Sequence, residues 1–216
     1  MNPRLKSVAL IWGLVILALH LLNRFALPWG LSSLLVAMIL LYVPMWKSPE
    51  TSLLIKLQSG ALGRALFWFW MISLLIFPVY FLVSHFAIQI LWGGHPVNFP
   101  KDIWLAQAPG FFLHQLLLVA LPEEMFFRGY LLGELKKIWP TQNRVFGVPF
   151  GKAALITSVI FAFSHSLVTF QWWHFSIFFP ALVFTWLREK TGRIWACSLF
   201  HAASNLASWT LFVHYS

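Results

Sequence analysis

Seven apolar runs divide the chain, at Ser7–Leu22, Gly30–Trp46, Ala65–Ile88, Ala108 to about Leu132, Ala153–Phe170, Phe175–Leu187 and Ile194–Val213. A helix crossing a bilayer needs about 20 mostly apolar residues, with about 17–25 the usual range. Each run therefore reads as a membrane helix; the sixth is short and the first marginal, so about six to eight spans fit the pattern. Between the second and third runs, Ser48–Gly63 carries Leu53, Leu54, Leu57 and Leu62 beside Lys56 and Arg64, the pattern of an amphipathic helix lying in the interface. Arg4 and Lys6 precede the first run as they would in a signal peptide. Asn23-Arg24-Phe25 stands where the small residues of a cleavage site belong, so the run reads as a retained span.

Composition agrees. Of 216 residues, 60% are apolar and 10% are Asp, Glu, Lys or Arg. Soluble domains run at about 45–50% and about 25%, so a soluble globule of this size lacks the charge to cover its surface. The expected fold class is an all-α membrane protein: a bundle of about seven transmembrane helices plus a short interfacial amphipathic helix, forming a single polytopic domain over residues 1–216. The lone cysteine, Cys197, lies in an apolar stretch and reads as a buried small residue.

The net charge of +9 comes from basic residues that punctuate the apolar runs and form no patch for nucleic acid. With the N-terminus in the cytoplasm and seven alternating spans, the inner segments collect Arg4, Lys6, Lys47, Lys56, Arg64, Lys136, Lys137, Arg144, Lys152, Arg188, Lys190 and Arg193. The outer ones hold only Arg24 and Lys101. The expectation is a multi-pass protein of the cell membrane with its C-terminus outside. Trp29, Trp46, Trp92, Trp104, Trp139, Trp172, Trp173, Trp186 and Trp195 fall near the proposed ends, as an aromatic belt would. Gly147 and Gly151 form a GxxxG at the start of the fifth run, a weak helix-packing signal.

Polar groups inside these runs disadvantage insertion by about 2.5–3.5 kcal/mol for each central charge, so each is a functional hypothesis. The fourth run contains Glu123-Glu124-Met125-Phe126-Phe127-Arg128, the fifth Phe161-Ala162-Phe163-Ser164-His165, and the seventh His201-Ala202-Ala203-Ser204-Asn205. Glu124 and Arg128 are four apart and can pair along one helical face. Glu123 is turned about 100° from Glu124, which frees it for a neighbouring helix. At about 1.5 Å per residue, His201 lies about 12 Å and His165 about 20 Å from the cytoplasmic charges, so the three helices can converge near mid-membrane.

A carboxylate, two imidazoles and an amide in a dry pocket suit water attack on an amide. The carboxylate serves as general base, one histidine holds the water, and the second histidine with the asparagine stabilises the oxyanion. There is no HExxH, and no serine or cysteine stands in a nucleophile motif. Spacing alone leaves a zinc site of Glu123, His165 and His201 open. It also leaves open a purely structural Glu–Arg pair and an ion pathway. His20, His85 and His114 read as packing residues; His95, His174 and His214 receive no role.

Taken together, Glu123-Glu124-xxx-Arg128, Phe161-xxx-His165 and His201-xxx-Asn205, in that order on separate apolar helices, resemble the three motifs of the CAAX protease and bacteriocin-processing (Abi) family, related to type II CAAX prenyl endopeptidases. The longer stretches Glu-Glu-Met-Phe-Phe-Arg-Gly-Tyr-Leu and Leu187-Arg188-Glu189-Lys190-Thr191-Gly192-Arg193 are similar to it as well. The resemblance covers roughly Ala108–Ala207; it implies a catalytic core over 108–213 and variable N-terminal spans over 1–106. It implies Glu123 as the base that activates water, His165 as its assistant, and His201 and Asn205 as oxyanion stabilisers. Glu124, Arg128 and Phe161 would support the site. It further implies a glutamate-dependent endopeptidase without a cofactor, zinc being the alternative, acting among membrane lipids on a membrane-associated protein or peptide. The competing expectation is a non-catalytic immunity or scaffold protein that binds a peptide without cleaving it. A small proton-coupled carrier would show an inverted repeat of broken helices, and none is visible.

Overall fold

The structure, a computed structural model, describes residues 2–25, 30–55, 60–93, 101–169 and 172–215. Among them seven helices stand where the seven runs were expected. They are α1 (Pro3–Arg24), α2 (Leu31–Lys47), α3 (Ala61–Trp92), α4 (Lys101–Ile138), α5 (Lys152–Thr169), α6 (Phe178–Thr191) and α7 (Trp195–His214). By length and composition, Pro3–Leu22, Ala61–Ile90 and Lys101–Ile138 are long and apolar enough to cross a membrane, and Leu31–Lys47 and Lys152–Val168 are shorter apolar helices.

Side-chain contacts fix the direction of the chain. At one end, Arg4 at the start of α1 meets Glu134 near the end of α4 (3.7 Å), Lys137 meets Glu134 (2.5 Å) and Glu50 (3.1 Å), and Lys136 meets Glu189 of α6 (2.7 Å). The Ser48 hydroxyl donates to Glu50 at 2.7 Å and holds that carboxyl down to about 2. Trp195, opening α7, donates to the Ile55 carbonyl at the same end. At the other end, Trp104 of α4 donates to Thr210 of α7 (3.0 Å), and His85 of α3 bonds Tyr215. The helices alternate in direction, so the two chain ends lie at opposite ends of the bundle.

Lipid offers apolar surface as good as another helix, so packing here relies on close approach of small side chains. Ala65, Ala120, Ala181, Ala196 and Ala202 are fully buried at helix contacts. Facing outward, α3 presents Leu74 (70% exposed), Leu75 (68%) and Ile90 (77%), a continuous apolar face that in water would be an aggregation site. Among the described residues, the regular structure of this membrane protein is helical apart from one hairpin of two two-residue strands.

α4 is the irregular element. Its ladder widens to π geometry over Gln115–Ala120 and Met125–Leu131, so that the Leu121 N–H bonds the Leu116 carbonyl and the Leu132 N–H bonds that of Phe127. Pro122, which has no N–H and whose ring crowds the preceding turn, lies between the two stretches and accounts for the shift. The second stretch is entirely buried and carries Arg128.

Three expectations need correction. Ser48–Gly63 is not one amphipathic helix: Pro49–Leu54 is a short 3-10 turn packed against α4, and Gly60, at φ 74°, starts α3, which takes in Leu62 and Arg64. Lys56 and Leu57 lie outside the described residues. The GxxxG is not a helix-packing motif either. Gly147 (φ 78°) and Phe146 (φ 49°) form the turn of the hairpin Arg144–Val145/Val148–Pro149, the positive-φ pair that favoured two-residue hairpins require. Trp29 lies outside the described residues, as do the side chains of Trp92, Trp172 and Trp173. The sixth run begins as a 3-10 segment, Trp172–Ile177, before α6. Six residues at about 2 Å and fourteen at about 1.5 Å give roughly 33 Å, enough for the bilayer core.

Gly129 shows how tightly the π stretch is held. A Cβ there would lie 2.6 Å from the Thr51 Cγ2 of the 3-10 turn. Gly129→Ala should destabilise the fold by about 1–3 kcal/mol, seen as a lower thermal midpoint in detergent, and Thr51→Ser, which deletes the colliding methyl, should restore most of the loss.

Candidate active site

Glu123 and Glu124, on the regular turn Leu121–Glu124 between the two π stretches of α4, face two different surroundings. Glu124 is fully buried and accepts from Arg128 (Nη1 to Oε1, 3.0 Å), itself fully buried. The Arg128 guanidinium also donates to the Ala181 carbonyl of α6 (3.0 Å) and the Thr185 hydroxyl (3.4 Å), and lies over the Phe161 ring (4.1 Å to the centroid) with Phe184 at 5.2 Å. Every polar edge of the cation therefore faces an acceptor or a ring. Ser158 of α5, 3.3 Å from the Thr185 hydroxyl, extends this network to a third helix.

The same Glu124 oxygen holds His201. The imidazole Nδ1–H donates to Glu124 Oε1 at 3.0 Å, and the ring stacks on Phe184 with centroids 4.7 Å apart. On α5, the His165 Nδ1–H donates to the Phe161 carbonyl at 2.9 Å. These two bonds set both tautomers and leave each Nε2 directed at Glu123, whose Oε2 is 3.6 Å from His165 Nε2 and 3.8 Å from His201 Nε2. That Glu123 oxygen is buried and has no hydrogen-bond partner of its own. A buried acceptor left open in this way needs a functional explanation.

Glu123 and His165 form the floor of a cavity of about 300 Å³ whose walls are Ile16, Leu19 and Leu22 of α1, Val36 and Leu40 of α2, and Leu118 and Phe127 of α4. Thus six of the seven residues singled out in the sequence meet in one network: Glu123, Glu124, Arg128, Phe161, His165 and His201. The seventh, Asn205, lies one turn beyond His201, and its Nδ2 donates to Gln115 Oε1 of the first π stretch at 2.7 Å. Gln115, Thr185 and Ser158 were passed over in the sequence. Gln115 had a signal, a long polar amide inside an apolar helix; two hydroxyls that bond their own helices give none. His174, given no role, sits beside the site with its Nδ1 3.4 Å from the His165 carbonyl.

The donor set of Glu123, His165 and His201 has the right chemistry for zinc. Among the described residues, however, no three His, Cys, Asp or Glu side chains are disposed to hold a metal ion together. Ligand bonds of about 2.0–2.2 Å would require these helices to move together.

Comparison with known proteins bears on the same stretch of chain. A sequence model of the family described as Type II CAAX prenyl endopeptidase Rce1-like matches residues 104–207, from the first turn of α4 to the middle of α7. No curated protein and no solved structure matches the chain. All seven site residues fall inside this matched segment, so the likeness to the Type II CAAX prenyl endopeptidase Rce1-like family takes in the whole network around Arg128 and Glu123.

Proposed function

We propose that the protein is an intramembrane endopeptidase that hydrolyses a peptide bond of a membrane-associated protein or peptide, using water activated by Glu123. The observation that carries this is the facing of the Glu123 carboxylate and two tautomerically fixed imidazoles. Glu123 Oε2 and His165 Nε2 are both acceptors, 3.6 Å apart. A water between them donates one proton to each, and its lone pair is then aimed away toward substrate. As the water oxygen attacks the carbonyl carbon, Glu123 takes the proton. When the C–N bond breaks, the same proton passes to the leaving amine.

The oxyanion falls to His201 and Asn205. Glu124 holds the His201 ring through Nδ1–H, and Nε2 donates to the developing charge only once it has itself taken up a proton. Asn205 keeps one further amide N–H after bonding Gln115. Arg128 holds the Glu124 carboxylate in place at 3.0 Å. No cofactor enters these steps.

We further propose seven spans with the N-terminus in the cytoplasm and the C-terminus outside. The gathering of Arg4, Lys136, Lys137 and Lys190 at one end of the bundle supports that orientation. The partners are then membrane lipids and the substrate, with no nucleic acid.

Glu123→Gln should lower cleavage about 10²–10⁴-fold while thermal midpoint and membrane insertion stay unchanged. Comparing protein termini in membranes of wild-type, deletion and Glu123→Gln strains measures this; termini that Glu123→Gln restores would instead favour the peptide-binding reading. A metal chelator should leave those termini intact, and their loss on chelation with recovery on added zinc would overturn the metal-free mechanism. Arg128→Ala differs in kind: it strands a buried carboxylate and should cost about 3–5 kcal/mol of stability, read as loss of folded protein in detergent.

A further inference from the structure

A second cavity, of about 530 Å³, lies between α3, α6 and the hairpin that joins α4 to α5, and shares no residue with the cavity at Glu123. Its α3 wall carries Trp68 and, eight residues on, Ile76; its α6 wall carries Leu182 and, eight residues on, Lys190, so the groove runs about 12 Å along each helix. Val145 and Phe146 of the hairpin form the third side. Leu75 and Phe146, both in the lining, are 68% and 85% exposed, so the groove is open along the side of the bundle. Its two ends differ. The Lys190 ammonium lies 4.7 Å from the Trp68 ring centroid and 5.6 Å from that of Trp186, at the end where the neighbouring Glu189 pairs with Lys136. The other end, toward Ile76 and Leu182, is wholly apolar.

We infer that this groove binds one anionic phospholipid, with an acyl chain lying along α3 and α6 and the phosphate headgroup at Lys190. Charge carries the assignment. The carboxylates at this end are engaged elsewhere: Glu134 by Arg4 and Lys137, Glu50 by Lys137, and Glu189 by Lys136. Among the described residues Lys190 meets no carboxylate, and its contacts with the two indole faces leave ammonium N–H groups for an anion. Arg64, exposed and four residues ahead of Trp68 on the same face of α3, adds a second positive charge at this level. Basic pockets between membrane helices suit anionic headgroups. Free phosphate would leave the apolar walls bare, and an uncharged lipid would leave the cations unmatched. A second copy of the chain would bring no unengaged carboxylate to this level, since Asp102 stands at the opposite end of the bundle. The hairpin points the same way. Phe146 sits at φ 49°, a conformation that such turns normally give to Asn, Asp or Gly, and its ring is held outward at the groove. Trp186 Nε1 donates to the Val145 carbonyl at 3.2 Å and fixes the hairpin against α6. Contact with an acyl chain gives that strained, exposed ring a physical reason.

The full chain, purified in mild detergent, is titrated with palmitoyl-oleoyl phosphatidylglycerol or phosphatidylcholine, and bound lipid is counted by native mass spectrometry. The expected result is one phosphatidylglycerol retained in preference to phosphatidylcholine, a preference that falls about fivefold in Lys190→Gln and about fivefold in Arg64→Gln. Lys190→Arg should retain it. Lys6→Gln, which removes the same charge from an exposed position on α1, should leave it unchanged. Leu75→Trp, at an exposed position that tolerates a larger side chain, should block the groove and abolish retention of the single lipid. Phosphatidylglycerol carrying a diazirine in its acyl chain should crosslink to residues 72–76 or 182–186. Equal retention of the two lipids, equal loss in Lys6→Gln and Lys190→Gln, full retention in Leu75→Trp, or crosslinks only elsewhere would each overturn the inference. A dimer that Leu75→Trp disperses would assign the groove to a second copy and overturn it as well. None of these measurements depends on proteolytic activity.

Discussion

Everything at the centre of this protein depends on keeping one cation, Arg128, ionised in a dry interior. The bilayer provides no water to solvate it, and the pairing with Glu124 alone leaves most of the guanidinium edge unsatisfied. The Ala181 carbonyl, the Thr185 hydroxyl and the faces of Phe161 and Phe184 complete its surroundings. Those partners come from α5 and α6, so satisfying one side chain on α4 draws three helices to a fixed spacing. The Glu124 oxygen that neutralises Arg128 also bonds His201 and brings α7 into the same arrangement. Stability and site geometry are therefore one problem, solved by one network.

The division of labour between adjacent glutamates follows from it. Glu124 and Glu123 differ by one step in sequence and about 100° around the helix. One is consumed by a guanidinium and an imidazole; the other reaches a cavity wall with an oxygen that has no partner. The two imidazoles illustrate the same economy: each spends Nδ1 on an internal acceptor, which fixes the ring and leaves Nε2 for Glu123. The two glutamates project from the regular turn Leu121–Glu124, with Gln115 and Arg128 on the π stretches to either side of it.

The placement of helices was largely legible because a bilayer demands long apolar runs. Boundaries were less so. Pro49 and Gly60 broke the expected interfacial helix, and the Phe146–Gly147 turn converted an apparent packing motif into a hairpin. Of the site, the charged and imidazole members could be picked out, since groups of that kind inside apolar runs are conspicuous. Thr185 and Ser158 gave no signal, because each hydroxyl also bonds a carbonyl of its own helix, and Gln115 showed only as a polar amide whose partner, Asn205, lies on another helix.

The sequence by itself determined a membrane-embedded helical bundle, the alternation of its helices, and the identity of the polar residues at mid-depth, since hydropathy, charge asymmetry and spacing along a helix are properties of one strand of chain. Only the tertiary structure decided which glutamate is free and which is neutralised, that Asn205 is tied to Gln115, and that a cavity walled by α1 and α2 reaches Glu123. Those outcomes depend on the rotation and spacing of neighbouring helices, set by the close approach of alanines and by the shell that Arg128 requires, and neither is written in any single segment.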